Sequence, residues 1–330
     1  MRKVLGSVAM VLGVLLLVLG VLAKPVLYKG LATVKLDQRS ESTSQGSGMS
    51  ALYAHEVNGS AVFDKLQNVN LKSTREVIGI PGRVKAKGTQ DDQAFWQTTV
   101  QSQAQINGKW TDLSYSNEGV SFNRKSGTAT NCCGDYKSAG DLDDPSKLVP
   151  VDHQGNFFKF PFDVQKKSYS WWDGDLGKAT DMQFVREEKI EGLNTYVFRQ
   201  IIDKAQVAQR EVPKAIFGDS SSGNVQASVM YGNVRTLWIE PHTGVLIKGQ
   251  EQVDKSLVAE GYDDVPTTLG TIGYSDATVK KNVEDWSSKG ALLGFIGGAL
   301  TPVGIGLGIL LIALGLVLTL GGGRRGRREA

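Results

Sequence analysis

The stretch RTLWIEPHTGVLIKGQEQV, residues 235–253, alternates Val, Ile, Leu, Thr and aromatic side chains with polar ones around a Thr-Gly corner. Alternation with a period of two is typical of β-strands, and Gly supplies the positive φ that a tight turn needs. The stretch therefore predicts two strands that are joined by a turn and run antiparallel.

The same pattern continues outward from this stretch in both directions. Strand-like segments are separated by Gly, Asn, Asp and Pro; they include STREVIGIPG, AFWQTTVQSQ, GVSFNRKSG, NTYVFRQII and ASVMYGN. Helical signals are few: DKLQNV (64–69) predicts a short helix, and 276–288 predicts a helix that leads into the membrane. The polar, Gly- and Ser-rich stretch 38–50 predicts a flexible loop. We expect a mainly β, antiparallel domain.

Two pairs of segments hint at an internal repeat. TREVIGIPG (74–82) resembles VREEKIEGL (185–193), and FNRKSGTAT (122–130) resembles IEPHTGVLI (239–247), in the same order. A turn of this kind serves any hairpin, so coincidence stays open as an explanation. A real repeat predicts two similar curved sheets, over 52–150 and 151–275, that are joined or wrapped around each other.

The two ends of the chain are apolar. Residues 4–23 are 20 uncharged residues, and a helix of that length spans about 30 Å, which is the thickness of a bilayer's hydrocarbon core. The second block, 290–323, is too long for one perpendicular span, and Pro302 is expected to divide it. We place its transmembrane helix at 301–320.

Basic residues at both ends predict the topology. Residues 1–3 include Arg2 and Lys3, and the tail 324–330 contains RRGRR. The positive-inside tendency puts both segments in the cytoplasm and residues 24–289 outside the plasma membrane. Cleavage of the first block as a signal peptide is the alternative, but its length exceeds the usual apolar region and favours an uncleaved anchor.

Glycine recurs on both apolar helices. Gly6, Gly13 and Gly20 share one face of the first helix, and the second block contains the GxxxG pairs Gly294/Gly298 and Gly304/Gly308. Such stripes let helices approach closely, either within one chain or between two copies. Because glycine is common in membrane helices, a purely compositional origin stays open.

Charge and motifs exclude several classes of protein. Six of the 37 Lys and Arg residues lie in the two end segments, and only one of the 34 Asp and Glu residues does, so the middle carries a net charge of −2. This charge excludes a basic nucleic-acid-binding domain. No GxSxG, HExxH, P-loop or CxxC motif occurs, and we predict no catalytic, cofactor-binding or metal-binding residue. A further acidic loop is interpreted as solvated rather than as a calcium site; it contains Asp141, Asp143 and Asp144.

The chain has two cysteines, Cys132 and Cys133, and they are adjacent. An exported domain meets an environment in which disulfides form, but neighbouring Cα atoms are closer than in an ordinary bridge. A disulfide between the two, intermolecular bridges, a lipid attachment and two free thiols all stay open. We favour the disulfide over the lipid attachment because no signal segment ends just before the pair.

One segment, GNFFKFPFDVQKKSYSWW, concentrates the aromatic residues. The seven aromatics are Phe157, Phe158, Phe160, Phe162, Tyr169, Trp171 and Trp172. Together with the neighbouring lysines they could take up acyl chains or dip into the membrane interface. The alternative is a hairpin that fills the core between two sheets, and base rates favour it.

Several of these segments resemble a known family. SFNRKSGTATNCCGDY, FFKFPFDVQKKSYSWWD, GLNTYVFRQ and TLWIEPHTGVLIK, with the two terminal helices, resemble the actinobacterial PorA-like porin family of membrane proteins, formerly a family of unknown function. That family usually has Asp-Arg-x-Thr-Gly before the cysteines, where this chain has Asn123 to Gly127. The resemblance implies a location in the actinobacterial cell envelope and carries over no site residue.

The sequence as a whole predicts a two-pass membrane protein that displays a non-enzymatic β domain outside the cell. The expected partners are membrane lipid, which the domain binds or transfers, or a neighbouring envelope protein, with self-association through the helices as a further expectation. A pore is the alternative function. We rank it second because a membrane barrel needs long strands with an apolar outer face, and the strands predicted here are short and mostly charged.

Overall fold

The computed structural model describes residues 1–139 and 147–320. The chain forms two compact units. Among the described residues, one combines 1–33 with 288–320, and the other lies within 34–287. The first is helical and the second is built on a β-sheet.

Within the described residues, the β unit contains one 12-stranded antiparallel sheet that curves into a half-barrel. The strands are β1 (Arg39–Val57), β2 (Ser60–Gly79), β3 (Gln93–Ile106), β4 (Lys109–Asn123), β5 (Tyr136–Ser138), β6 (Leu148–Pro150), β7 (Tyr169–Asp173), β8 (Lys178–Ile190), β9 (Leu193–Pro213), β10 (Asn224–Ile239), β11 (Leu246–Val258) and β12 (Val265–Tyr274). The mainly β, antiparallel fold class is confirmed.

The order of the strands divides the sheet into two halves. It runs β6-β5-β4-β3-β2-β1-β12-β11-β10-β9-β8-β7, so β1 and β12 are central and pair with Ser44 opposite Tyr274. Adding six to the number of each strand in the first half, β6 to β1, gives the order of the second half, β12 to β7. The segments that begin at residues 74 and 185 then fall in β2 and β8, which correspond. The two halves belong to one continuous sheet.

The turns after β4 and β10 also correspond. Asn123 Oδ1 accepts hydrogen bonds from the backbone N–H groups two and three residues later, and so does the Glu240 carboxylate. Each turn ends on a glycine in the left-handed region, Gly127 with φ 74° and Gly244 with φ 73°. The backbone N–H of each glycine donates to the carbonyl of the first turn residue at 2.9 Å. Because a side chain is strained at such φ, glycine is the residue that suits these positions.

Three local predictions are wrong. Residues 38–50 are not a loop but lie almost entirely in β1, which pairs with β2 along most of this stretch and with β12 at Ser44, Gln45 and Ser50. Residues 64–69 form no helix but lie in β2, because pairing with β1 outweighs local propensity. The strands are also not short, since eight of them have 13 or more residues.

Helices cover part of the sheet. The short helix α3 (Pro81–Lys85) precedes β3, and a 3₁₀ turn (Lys214–Phe217) follows β9. The helix predicted from Asp276 is confirmed as α4 (Asp276–Gly294). Its residues Val279 and Val283 pack with Trp238 of β10 in one apolar cluster. A second cluster packs Phe160 with residues of β7 to β10.

Two long apolar helices form most of the other unit. Helix α1 (Arg2–Leu22) continues through a π-helical turn (Ala23–Tyr28) into α2 (Lys29–Leu31). Helix α4 continues through a π-helical turn (Phe295–Ala299) into α5 (Leu300–Leu320). The irregular turn thus lies just before Pro302, which is tolerated within the first turn of α5.

Glycines let α1 and α5 pack closely. A Cβ atom added at Gly13 would lie 2.7 Å from the Gly308 carbonyl oxygen, and one added at Gly304 would lie 2.9 Å from the Gly20 Cα. Both distances are far inside van der Waals contact. These glycines therefore serve packing within one chain, and self-association stays a prediction.

Candidate functional site

A buried histidine connects strands that lie near opposite edges of the sheet. The Nε2 atom of His153 lies 2.9 Å from Glu118 Oε1 on β4, and its Nδ1 atom lies 3.2 Å from Asp135 Oδ2. The indole N–H of Trp172 on β7 donates to the same Glu118 oxygen at 3.1 Å. We call these four side chains the seam, because they join β4 near one end of the sheet to β7 at the other.

The seam fixes the ionisation of its histidine. Burial opposes the charged imidazolium, but hydrogen bonds to Asp135 and Glu118 outweigh burial and raise the pKa of His153 above its ordinary value. The side chain of His153 is 0 % exposed, and both ring nitrogens face carboxylates. It therefore has no free nitrogen with which to act as a general base toward a substrate.

The two adjacent cysteines lie in the loop that holds the seam. Cys132 and Cys133 are joined by a disulfide in the structure. The backbone N–H of Cys132 donates to Ser121 Oγ at 2.9 Å, and that hydroxyl donates to Asp135 Oδ1 at 2.6 Å. Asn131 exchanges hydrogen bonds with the backbone of His153 at 2.9 Å in both directions. The disulfide loop thus positions His153 from two sides.

A second polar network lies inside the half-barrel. The guanidinium of Arg235 on β10 contacts Asp173 at 3.0 Å and Glu251 at 2.9 Å, and it donates to Gln200 Oε1 at 2.6 Å. The hydroxyl of Tyr231 donates to Asp173 at 2.9 Å. Burial opposes the charge on Arg235, but the two carboxylates outweigh it and raise the Arg235 pKa. The network is satisfied by charge and by hydrogen bonds together.

Arg75 on β2 has fewer polar partners than Arg235. Its Nε–H donates to Thr98 Oγ1 at 2.9 Å, and its guanidinium lies 5.2 Å from the centre of the Phe157 ring and 5.7 Å from that of Phe158. Burial lowers the pKa of Arg75, although the Glu118 carboxylate opposes this. The aromatic segment therefore meets a half-buried cation inside the half-barrel.

The aromatic segment packs mostly in the interior. Phe160, Trp171 and Trp172 are buried, while the other four are half-buried; those are Phe157, Phe158, Phe162 and Tyr169. Phe160 packs against Trp171 with ring centres 5.0 Å apart, and Phe158 packs against Trp96 at 5.3 Å. The segment fills the concave side, and its proposed role in binding lipid stays a prediction.

One lysine of this segment is buried without a hydrogen bond. Lys159 Nζ lies 3.5 Å from the centre of the Phe162 ring, and it has no hydrogen-bond partner among the described residues. Burial lowers the pKa of Lys159 well below its ordinary value, and the Glu240 carboxylate only partly offsets this. The neighbouring Phe160 N–H donates to the Gly244 carbonyl at 2.8 Å, so the turn after β10 holds this backbone.

The exposed outer side of β3 is polar. On β3 the side chains opposite to the inward-facing Thr98 are Gln97, Thr99, Gln101, Gln103 and Gln105. Gln101 and Gln103 both donate to Asp112 of β4, at 2.8 and 2.7 Å. Amides and carboxylates are unsuited to contact with acyl chains.

A polar cleft of about 490 Å³ opens on the sheet beside the start of α4. Its lining includes Gln45 of β1, Gln250 of β11 and Gly273 of β12, with Lys189 at the end of β8. The sequence indicated none of these residues, because they approach each other only through the pairing of distant strands.

The described part of the chain contains no group of three or more His, Cys, Asp or Glu residues suited to a metal ion. The loop with Asp141, Asp143 and Asp144 lies outside the described residues.

Sequence reasoning also missed the charged side chains of the two networks. Glu118, Arg235 and Glu251 occupy inward positions. In the sequence of their strands, polar and apolar residues alternate as they do in any exposed strand. The available signal was weak: charged residues interrupt otherwise Val- and Thr-rich strands. Without the register, that pattern does not distinguish a buried ion pair from a solvated face.

Comparison with known proteins gives the family. A family model described as Porin PorA matches residues 5–317. A Porin PorA of Corynebacterium amycolatum is 25% identical over 36% of this chain and 41% of its own length, and one of Corynebacterium resistens is 23% identical over 32% and 37%. The chain thus covers about two-fifths of the length of each of these relatives. Because the family model matches nearly the whole chain, this protein belongs to the Porin PorA family.

Proposed function

We propose that this protein is a non-enzymatic, membrane-anchored protein of the cell envelope. Its half-barrel stands outside the plasma membrane and binds an envelope component there, either a lipid or a neighbouring protein. The observation that carries the proposal is the division of surface chemistry between the two units. Exposed large apolar side chains run along both helices, whereas on the strands they are few and scattered, as at Tyr115, Val185 and Ile201.

The helices need a bilayer. Leu310 and Val317 of α5 are 60% and 62% exposed, and Leu15 of α1 is 55% exposed. Each Å² of apolar surface that stays in contact with water costs about 25 cal/mol of free energy. Two helices with this much exposed apolar surface are therefore stable only in an apolar surrounding. Both are also long enough and apolar enough to cross a membrane.

The strands need water. Moving the glutamine row of β3 into a bilayer would cost several kcal/mol for each amide that lost its partners. The half-barrel therefore supports a domain in aqueous solution and does not support a lipid-facing wall. Several strands are long enough to span a membrane, so the argument against their insertion is the polar outer face of β3 and not strand length.

The proposal of a non-enzymatic role rests on the environment of His153, the residue that most resembles a catalytic group. His153 is paired with carboxylates, as in many hydrolases, but it lies in the seam and not in a cleft. A family described as porin also favours a protein without catalysis. The half-barrel is then a binding domain.

The decisive experiment is tag accessibility in intact cells. An epitope inserted between Asn58 and Gly59, in the turn between β1 and β2, is expected to bind antibody without lysis. A tag at the carboxyl terminus is expected to bind antibody only after lysis. Inaccessibility of the turn tag in intact cells would contradict the proposal. Mass spectrometry of lipids copurified with the full-length protein then separates a lipid ligand from a protein partner.

A channel is the second candidate, and the family description favours it. In such a channel the aromatic segment would close the polar interior at Arg75. Planar-bilayer recording of the full-length protein tests this. Stepwise conductance that increases when Phe157 and Phe158 are replaced by Ala would favour the channel, and we expect none. The exposed Tyr115→Ala serves as the control substitution.

A further inference from the structure

The cleft beside α4 contains a row of three residues across three neighbouring strands. Gln45 of β1 and Gln250 of β11 both pair with Gly273 of β12. Directly opposed residues point to the same face, and adjacent strands are about 4.8 Å apart, so the two glutamines stand about 10 Å apart with a gap between them. A glycine inside a strand often marks a place where a ligand approaches the backbone.

Three polar side chains of this cleft are free to bind a ligand. The side chains of Gln45, Gln250 and Lys189 form no hydrogen bond or ion pair with any part of the chain that the structure describes. Each glutamine amide offers two N–H donors and an oxygen acceptor. With a volume of about 490 Å³, the cleft is within the usual range of sites for small molecules.

The charges that line the cleft balance. Lys189 and Lys248 are matched by Glu191 and Asp276. The ammonium of Lys248 also lies over the Trp238 ring, 4.7 Å from its centre, which turns it toward the sheet. A balanced site with amide donors and acceptors suits a neutral ligand rich in hydroxyl groups better than it suits an anion.

We propose that this cleft binds a short neutral glycan, whose hydroxyl groups bridge Gln45 and Gln250 above Gly273. The inference rests on the proposed function, which places the half-barrel outside the plasma membrane, where such glycans are exposed. The glycan could be the headgroup of an envelope glycolipid or part of a cell-wall polysaccharide. The chemistry of recognition is the same for both.

Saturation-transfer difference NMR on the full-length protein tests the proposal. The protein is kept in a zwitterionic detergent without sugar, and the probes are neutral trisaccharides of glucose, galactose, mannose and arabinose. We expect at least one to bind. In the variant with Gln45→Ala and Gln250→Ala, loss of two neutral hydrogen bonds should weaken that binding by about tenfold or more. Gln183→Ala, on the exposed part of β8, should leave binding unchanged.

Several outcomes would overturn the inference. They are binding of none of the trisaccharides, equal binding by the double variant, and a preference for a sulfated trisaccharide over its neutral parent. Vesicles with and without a glycolipid that carries the bound sugar then distinguish the two sources. The tag experiment is independent: glycan binding with an inaccessible turn tag would refute the proposed location and leave the site intact.

Discussion

His153 Nε2 lies 2.9 Å from Glu118 Oε1, and this contact ties the β4 side of the half-barrel to the loop that precedes β7. The seam raises the pKa of His153. A histidine with a raised pKa stabilises the fold fully below its unfolded pKa of about 6.5, and this stability is lost as the pH rises through the folded pKa.

We therefore expect the seam to weaken as the pH rises from about 6.5. Denaturant unfolding followed by tryptophan fluorescence measures this in the wild type and in His153→Gln. The difference in the free energy of unfolding between them should be largest below that pH and should shrink above it. His242→Gln, which removes no carboxylate pair among the described residues, should show no such trend. A pH-independent difference for His153→Gln would contradict the assignment.

Arg235 is expected to be the most sensitive ionic residue of the interior. Arg235→Met leaves the buried Asp173 without its cation, and breaking a buried pair in this way costs about 3–5 kcal/mol; Glu251, which is partly exposed, also loses its partner. Adding Glu251→Gln to that variant should recover part of the loss. Lys204→Met removes an exposed pair with Asp254 and should cost less than about 1 kcal/mol. Equal losses in urea unfolding of the two single variants would refute the role of burial.

The disulfide is expected to act locally. Closing a ring between adjacent residues removes little freedom from the unfolded chain, so replacing both cysteines by Ser should cost far less than the roughly 3 kcal/mol of a 15-residue loop. Hydrogen exchange at residues 131–135 should nevertheless increase, since the loop loses its covalent link. Alkylation before and after reduction checks the bond itself. Labelling of Cys132 without reduction, or unchanged exchange in the variant, would contradict this.

The sequence predicts those parts of the fold that depend on composition or on near neighbours. The apolarity of residues 4–23 alone predicts a long helix, and the structure has α1 there. The turn Glu240–Gly244 is likewise visible, because the residues that build it are adjacent. The same holds for α4, whose start follows directly from the helical pattern after Tyr274.

The parts that sequence reasoning missed depend on partners far along the chain. Residues 38–50 are too polar for an ordinary strand, yet Ser42 and Ser44 face a polar interior, so the strand is stable there. That polarity is set by Arg75 and Glu251, which are remote in sequence. The same holds for the seam. The sequence does not show that His153 is paired with a carboxylate, because Glu118, which lies 2.9 Å from it, is distant along the chain.

Close packing of α1 on α5 predicts an asymmetry between glycines. Gly13→Ile would place side-chain atoms against the Gly308 backbone, and overpacking of this kind costs about 1–3 kcal/mol. Gly306→Ile is the matched control on α5, where an added Cβ has no neighbour within 4 Å. Titration of the micelle-bound protein with SDS measures the stability of the helix pair. Similar losses for both variants would show that the glycine contacts do not hold the pair together.

Lys159 is expected to destabilise the wild type near neutral pH. Its folded pKa is depressed, so its contribution to stability is present above the unfolded pKa of about 10.4 and is lost as the pH falls through the folded value. Lys159→Met keeps the length of the side chain and removes the cost of burying an amine without a hydrogen bond. Replacing buried ionic groups by apolar ones stabilises proteins in several known cases.

The measurement is urea unfolding of the full-length protein between neutral and alkaline pH. Lys159→Met should raise the free energy of unfolding at neutral pH, and its advantage over the wild type should shrink toward alkaline pH as the wild-type lysine loses its proton in the unfolded chain too. The exposed Lys167→Met should show neither effect. A loss of stability in Lys159→Met at every pH would mean that the contact between the Lys159 ammonium and the Phe162 ring outweighs the cost of burial.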